Sequence, residues 1–563
     1  MKVSDMRAGV RSAPVPAVGG KQQRWPRAAI ANATLAAAVL AAFSAVGAQL
    51  VVLGVRGGAV EATLALTEAA ATNFARPDII DRNGRLLATD VEAPSLFADP
   101  AIVLDRDELV EKLSTVLPDL DQGELRAALS DRTRRFVWIR RGLAPKTAQK
   151  IHDLGLPGLA FRKELRRAYP AGLLAGHVLG TVNIDNKGVA GIEKYIDDVV
   201  GVEGVHGAEL SDHAPVRLSI DVGVQHSLED ELDTAMRRYG TEGAAGLVLD
   251  IRTGEVMASA SFPRIDPSRA QMSLDPAKVD RIAGGTYELG SVFKTITVAM
   301  ALDEGLVTSA TMLDVREPLA AGRFTITDLH PAGRPLSVEE VFTHSSNVGA
   351  GMLALQAGPE RFKGFLQRAG LLDPMQTELG PVSAPQVPDR FERIQLITMS
   401  YGHGIAVAPL QFAAAAASVL NGGNRVTPTF VRYRSDTAKP PSVTTDLTSR
   451  EMARLFRLNV MDASGTGKRA DVPGYRVGGK TGTAERADNG RYREKAVISS
   501  FLGAFPMDSL QYLTFIALFE PKASVETGGQ RTASSNAAPV TGRLIRRIAP
   551  QLAVAPLNIE QTQ

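Results

Sequence analysis

In VFKTITVAMAL, the run from Val292 to Leu302, the only charged side chain is Lys294, and Ser291 stands three residues before it. A helix apolar on every face belongs in a core or a membrane. An ammonium buried there is costly unless it is paired or gives up its proton. Ser and Lys at this spacing share one face of a helix. Gly290 allows a tight turn into the segment, so the pattern predicts Ser291 at a helix N-terminus, where free N–H groups can hold an oxyanion. A desolvated lysine has a lowered pKa and can take the proton of a serine nucleophile. The buried lysine is then expensive as structure and useful as a base. No other lysine in the chain has a serine at that position. Alone, S-x-x-K also describes a surface lysine whose stem lies along apolar ground.

Two further constellations follow in the chain. Ser345-Ser346-Asn347, in FTHSSNVGAGM, is an S-x-N; by itself it reads equally as a helix N-cap, a position that favours Ser and Asn. Lys480-Thr481-Gly482-Thr483 is a K-T-G-T on an apolar strand. Gly482 there leaves backbone open to a closely approaching ligand, or marks an ordinary bulge beside a solvated lysine. The upstream SGTGKR mimics a phosphate-binding loop but fails as one, with Asp462 where glycine is required and Arg469 where Ser or Thr is required. No G-x-S-x-G occurs, so a Ser-His-Asp hydrolase has no nucleophile elbow, and His344 and His403 read as packing or surface residues.

These residues need elements to hold them. A chain of 563 residues predicts two or three folded units. Its net charge of +2, from 63 basic and 61 acidic residues, leaves no footprint for nucleic acid. The absence of cysteine excludes disulfides, thiolate metal sites and a cysteine nucleophile, and suits an oxidising compartment. Between Arg27 and Arg56 no residue is charged, and about 20 apolar residues span a bilayer as a helix. Lys2, Arg7, Arg11, Lys21, Arg24 and Arg27 precede this run against a single acid, Asp5, which keeps that end cytoplasmic and exports the rest. The rival is a signal peptide cleaved after Val46-Gly47-Ala48. The run exceeds a signal h-region of about 7–15 residues, which favours an uncleaved anchor.

The organisation expected is a basic cytoplasmic leader (1–27), a transmembrane anchor (28–55), a stalk (56–75), a pedestal domain (76–215), a catalytic domain (216–552) and a tail (553–563). RPDIIDRNGRLLATD, from Arg76 to Asp90, predicts a hairpin turning at Asn83-Gly84. A helix is expected around Asp105–Leu117, and the rest of 91–215 shows no catalytic constellation. GAAGLVLDIRTGEVMASASF predicts a second hairpin, helical patterns dominate from about 290 to 420, and strands return at YRVGGKTGTAE, AVISSFLGAF and QYLTFIALFE. Those strands are apolar on both faces, so their sheet should be covered by helices on both sides. A last helix at TGRLIRRIAPQL closes an α+β domain.

S-x-x-K, S-x-N and K-T-G in this order resemble the signature of the penicillin-recognising serine enzymes. With RPDIIDRNGRLLA, RAYPAGLLAGHVLG, GVAGIEKYID and GAAGLVLDIRTGEVMA, the chain resembles a class B penicillin-binding protein from Arg76 to about Leu552. SYGHGIAVAPLQFAAA is similar to the division-specific branch, and Leu289 departs from the proline usual in that family. The resemblance implies an antiparallel sheet covered by helices, carried on an elongated, dimerisation-type pedestal. It implies a periplasmic serine D,D-transpeptidase that crosslinks peptidoglycan stem peptides at the septum and is acylated by β-lactams. Ser291 would be the nucleophile and Lys294 its base; Ser345 and Lys480 would relay a proton, and Asn347 would orient Lys294. Thr481, Gly482 and Thr483 would bind the substrate carboxylate, and no metal or cofactor is needed. Implied partners are the cytoplasmic membrane, an FtsW-type glycosyltransferase and other divisome proteins. Alternatives are the elongation-specific transpeptidase, a β-lactamase or β-lactam sensor, and a non-catalytic divisome scaffold.

Overall fold

The structure, a computed structural model, describes residues 37–49, 75–200, 214–322, 324–432, 440–488 and 491–557. The chain divides into Met1–Thr72 and Asn73–Gln563. In the first unit, residues 37–49 form an exposed helix. Among the described residues no helix is long and apolar enough to cross a membrane. The expected leader, most of the anchor and nearly all of the stalk lie outside the described residues.

The second unit opens with the expected hairpin: Ile79–Ile80 runs antiparallel to Leu86–Ala98, with Gly84 at φ +89° in the turn. The second strand continues well past Asp90 and pairs with Leu159–Ala168 and Val137–Arg140. On one face of this sheet, Leu96 and Ala98 meet Leu109 and Leu113 of the helix Arg106–Val116 and Ile151 of the helix Pro145–Asp153. Asp105 caps the first of these helices, its carboxylate accepting from the N–H groups of Asp107 and Glu108. Behind the hairpin lies a buried ion-pair network. Arg76 Nε is 2.9 Å and Arg167 Nε 2.7 Å from the two oxygens of Glu193, and Arg167 also reaches Asp90 at 3.2 Å. Such charges survive burial only when their hydrogen bonds are nearly complete. Arg76 and Arg167 meet that condition through the Asn186, Glu193 and Pro77 carbonyls. The network ties together the RPDII, RAYP and GIEK segments. Ile79–Ile80 then pairs in parallel with Val216–Arg217, joining the pedestal sheet to the chain that enters the catalytic domain.

The catalytic sheet has five antiparallel strands in the spatial order Gly478–Asp488, Arg491–Phe505, Tyr512–Phe519, Gly243–Asp250 and Val256–Phe262. One face packs on the helices Val222–Tyr239 and Ala537–Gln551 through Leu228, Leu232, Leu544 and Ile545. The other packs on Lys294–Asp303 and Pro409–Leu420 through Ile296, Phe412 and Phe515. Double coverage is why Tyr512–Phe519 is buried at every residue and shows no alternation. The helices Val338–Thr343, Asn347–Arg368 and Asp446–Met461 complete the wall around the sheet's Gly478–Asp488 edge.

Candidate active site

Ser291 does not begin the α-helix that the sequence pattern predicts for it. It lies in a 3-10 turn, Gly290–Phe293, and the α-helix starts at Lys294. Such a turn is a common entry to an α-helix, and here it sits in close backbone packing. A Cβ at Gly290 would lie 2.7 Å from the Thr483 carbonyl, one at Gly482 would lie 2.6 Å from the Leu289 carbonyl, and one at Gly402 would lie 2.3 Å from the Gly290 carbonyl. These distances are below any tolerated carbon–oxygen contact, so the three glycines allow three chain segments to meet. The Gly290 N–H donates to the Gly402 carbonyl at 3.3 Å, and the Gly404 N–H donates to Glu288 at 2.7 Å. The SYGHG stretch is therefore the buttress of the serine turn.

Lys294 and Lys480 are both fully buried. Lys294 Nζ lies 3.0 Å from Ser291 Oγ, 3.1 Å from Ser345 Oγ, 2.6 Å from the Ser345 carbonyl and 2.7 Å from Asn347 Oδ1. Lys480 Nζ reaches Ser345 Oγ at 2.9 Å and stands 5.7 Å from the centre of the Phe342 ring. Burial, and then the neighbouring Lys480 charge, hold the Lys294 ammonium well below the ordinary lysine range, with Asp328 opposing them. Burial pushes Lys480 down to about 7. A continuous path for a proton thus runs from Ser291 Oγ through Lys294 and Ser345 Oγ to Lys480.

Ser345 adopts a left-handed conformation, φ +63°. A non-glycine residue there costs about 1–3 kcal/mol and persists only when its surroundings over-determine it. Those surroundings include Asp328, which motif reasoning did not find. Its carboxylate accepts from the Ser346 hydroxyl at 2.6 Å and from the N–H groups of Asn347 and Val348. It thereby caps the helix Asn347–Arg368 and fixes the S-x-N turn. Asn459 and Thr466 are two more residues the motifs did not reveal. Asn459 donates to the Gly479 carbonyl at 2.7 Å and accepts from the Thr466 N–H and hydroxyl, both at 3.1 Å. Thr466 Oγ in turn accepts from Thr481 Oγ at 2.8 Å. SGTGKR, dismissed as a phosphate loop, thus props the K-T-G-T strand. Thr483 Oγ accepts from the Ala533 N–H at 3.2 Å.

Ser291, Lys294, Ser345, Asn347 and Lys480 therefore converge, with Thr481, Gly482 and Thr483 on the adjoining edge strand. His403 packs beside Tyr401, ring centres 5.3 Å apart, and burial holds it below the ordinary imidazole range, with Lys294 adding to the effect. His344 meets Ser464 at 3.2 Å. Among the described residues no cluster of His, Cys, Asp or Glu could hold a metal ion. The arrangement can activate a hydroxyl, stabilise charge beside it and move its proton away.

The sequence profile of the penicillin-binding protein transpeptidase domain matches residues 244–546, and that of the penicillin-binding protein dimerisation domain matches 71–209. The chain is 40% identical to the probable peptidoglycan D,D-transpeptidase FtsI of Caulobacter vibrioides, over 85% of this chain and 82% of that protein. It is 31% identical to the probable peptidoglycan D,D-transpeptidase PenA of Neisseria meningitidis, over 81% of each. It is 29% identical to the peptidoglycan D,D-transpeptidase FtsI of Escherichia coli, over 85% of this chain and 84% of that one. Its fold is similar to that of penicillin-binding protein 3 of Mycobacterium tuberculosis, solved with aztreonam, at a TM-score of 0.65 and 24% identity, covering 86% of this chain and 98% of that one.

Proposed function

The chain belongs to the class B penicillin-binding proteins, and from that premise we propose that it crosslinks peptidoglycan stem peptides at the division septum. It is a peptidoglycan D,D-transpeptidase. The observation that carries the reading is a fully buried lysine amine 3.0 Å from a serine hydroxyl. Structure alone gives no return for that burial; nucleophile activation does.

Ser291 Oγ attacks the carbonyl carbon of the penultimate D-alanine of a stem peptide, and its proton passes to neutral Lys294. The backbone N–H groups of Ser291 and Thr483 receive the oxyanion that forms. When the C–N bond breaks, the leaving D-alanine amine takes a proton delivered through Ser345 from Lys480 or Lys294. Lys480, with the Thr481 and Thr483 hydroxyls, holds the terminal carboxylate, and Asn347 orients Lys294. Gly478–Asp488 is an edge strand, which suits main-chain pairing with an extended stem peptide. The amine of a neighbouring stem then attacks the ester and restores Ser291. A β-lactam enters the same path, its ring amide standing in for the peptide bond, and leaves an acyl-enzyme.

The pedestal (76–215) and catalytic domain (216–552) are read as exported beyond a single inner-membrane anchor at 28–55. The uncharged run and its basic leader support that placement. Relatives named FtsI support a septal role beside an FtsW-type glycosyltransferase and other divisome proteins. The test supplies the full-length protein with polymerised glycan bearing pentapeptide stems. One D-alanine should be released per crosslink formed, and none with Ser291→Ala. Depletion in cells should give filaments with stalled septa; rounded cells would assign the enzyme to elongation instead.

A further inference from the structure

Helices cover one face of the pedestal sheet, and the other face carries a different chemistry. The pairing register sets Ser95 opposite Arg162, Ala93 opposite Glu164, and Phe97 opposite Trp138 on this second face. Phe97 stacks on Phe136 with ring centres 4.6 Å apart, and Trp138 meets Phe136 edge-on at 4.7 Å. Phe136 is 39% exposed. The Arg141 guanidinium lies 5.3 Å from the centre of the Trp138 ring and pairs with Glu164 at 2.9 Å. Arg141 also lines a cavity of about 210 Å³, together with Glu164, Arg166, Asn183 and Asn186 of the pedestal and Gln271 of the catalytic domain. Asn186 is 8% exposed; its side-chain amide donates to Asp90 at 3.0 Å, and its Oδ1 accepts no hydrogen bond. A buried acceptor left open is a cost that a bound donor would remove.

We infer that this face binds the glycan strand of peptidoglycan, one sugar ring stacking on the exposed Phe136 ring beside Trp138 and a neighbouring ring seating in the cavity. The reading rests on peptidoglycan being the substrate. A pyranose presents an apolar C–H face to an aromatic ring. Its hydroxyl and acetamido groups match the side-chain amides of Asn183, Asn186 and Gln271, and the carbonyl oxygens of its acetamido and lactyl amide groups match the planar guanidinium donors of Arg166. A protein partner fits less well. Stable protein interfaces bury about 800 Å² on each side around an apolar centre, whereas here three rings give way at once to paired charges and a polar hollow. Holding the polymer on the pedestal would keep its stems at high local concentration for the catalytic domain.

The test uses the full-length protein in detergent, with the active site first acylated by penicillin, and glycan oligosaccharides stripped of stem peptides by an amidase. Saturable binding is expected, read by the fluorescence of Trp138, since the only other tryptophan is Trp25. Phe136→Ala should weaken binding about tenfold, and Gln271→Ala should weaken it less. Both variants should be labelled by penicillin at the wild-type rate, which shows that they fold. No saturable binding by the acylated protein, or unchanged binding by Phe136→Ala, would overturn the inference. Loss of a co-purifying divisome protein from Phe136→Ala, with glycan binding intact, would also overturn it, by marking a protein-docking face. Failure of penicillin to label the wild type would instead strike the transpeptidase reading.

Discussion

Burial lowers both active-site lysines, yet the proposed mechanism needs them in opposite states. In it Lys294 is neutral, to accept the serine proton, and Lys480 is charged, to hold a carboxylate. The second-order rate of acylation reports the free enzyme. It should rise with pH as Lys294 loses its proton, well below the ordinary lysine range, and fall as Lys480 loses its own near pH 7. Stopped-flow acylation across pH gives the bell; a rate still climbing well above pH 7 would contradict the roles given to the two amines. Asp328→Asn should keep one acceptor for the Asn347 and Val348 N–H groups while removing a charge that favours protonated Lys294. The ascending limb should therefore move to lower pH, with Lys480 and His403 still facing the amine. Asp328→Ala should lose the cap as well and slow acylation at every pH. The motif residues were legible because their chemistry is carried by residue type and spacing. Asp328 was not, because TITDLHPAG reads as an ordinary polar loop and its partners are fixed only in three dimensions.

At the scale of elements, the serine turn depends on three backbones meeting at glycines. Gly402→Ala would drive a methyl group to 2.3 Å from the Gly290 carbonyl, at a φ of +81° that already resists a side chain. A shift of about 1 Å in a reacting group can cost 10²-fold, so acylation should fall by about that factor. Gly305 is the control, since it also has positive φ, +65°, but nothing stands within 4 Å of its would-be Cβ. Gly305→Ala should lower stability by about 1 kcal/mol and leave acylation unchanged. Equal loss of activity in both variants would show that the buttress does no positioning. Most elements of the catalytic domain were legible, because doubly covered strands are uninterrupted apolar runs. The pedestal strand was legible only to Asp90. Beyond it Glu92, Pro94 and Ser95 break the pattern, and only its alternate residues, such as Leu96 and Ala98, enter a core. SGTGKR was visible as a motif but not as a prop, since its partners Asn459 and Thr481 belong to other elements.

Across the whole molecule, catalysis and stability pull against each other. Below about pH 7 Lys480 is protonated in the folded and unfolded chain alike, and the fold bears the full cost of burying its charge. Between about pH 7 and pH 10.4 the unfolded chain binds the proton that the folded one has released, so stability should rise through that window. Lys480→Met should therefore raise Tm most at or below neutral pH, while abolishing transpeptidation. A lower Tm at neutral pH would mean that the buried ammonium is held by more than Ser345 and the Thr481 carbonyl. The same economy bears on drug turnover. The chain contains no E-x-x-L-N, the string that carries the deacylating glutamate in class A β-lactamases. General-base help is worth about 10²–10⁴-fold, so an acyl-enzyme formed here should be long-lived.

The central claim is that Ser291, activated by Lys294, carries the acyl group, and one measurement reaches it directly. Full-length protein is treated with benzylpenicillin, chased without drug, weighed intact and digested to locate the adduct. One penicilloyl group on the peptide containing Ser291, surviving the chase and absent from Ser291→Ala and Lys294→Ala, is the predicted result. An adduct on another residue, normal labelling of either variant in folded protein, or loss of label within seconds while hydrolysed drug accumulates would contradict it.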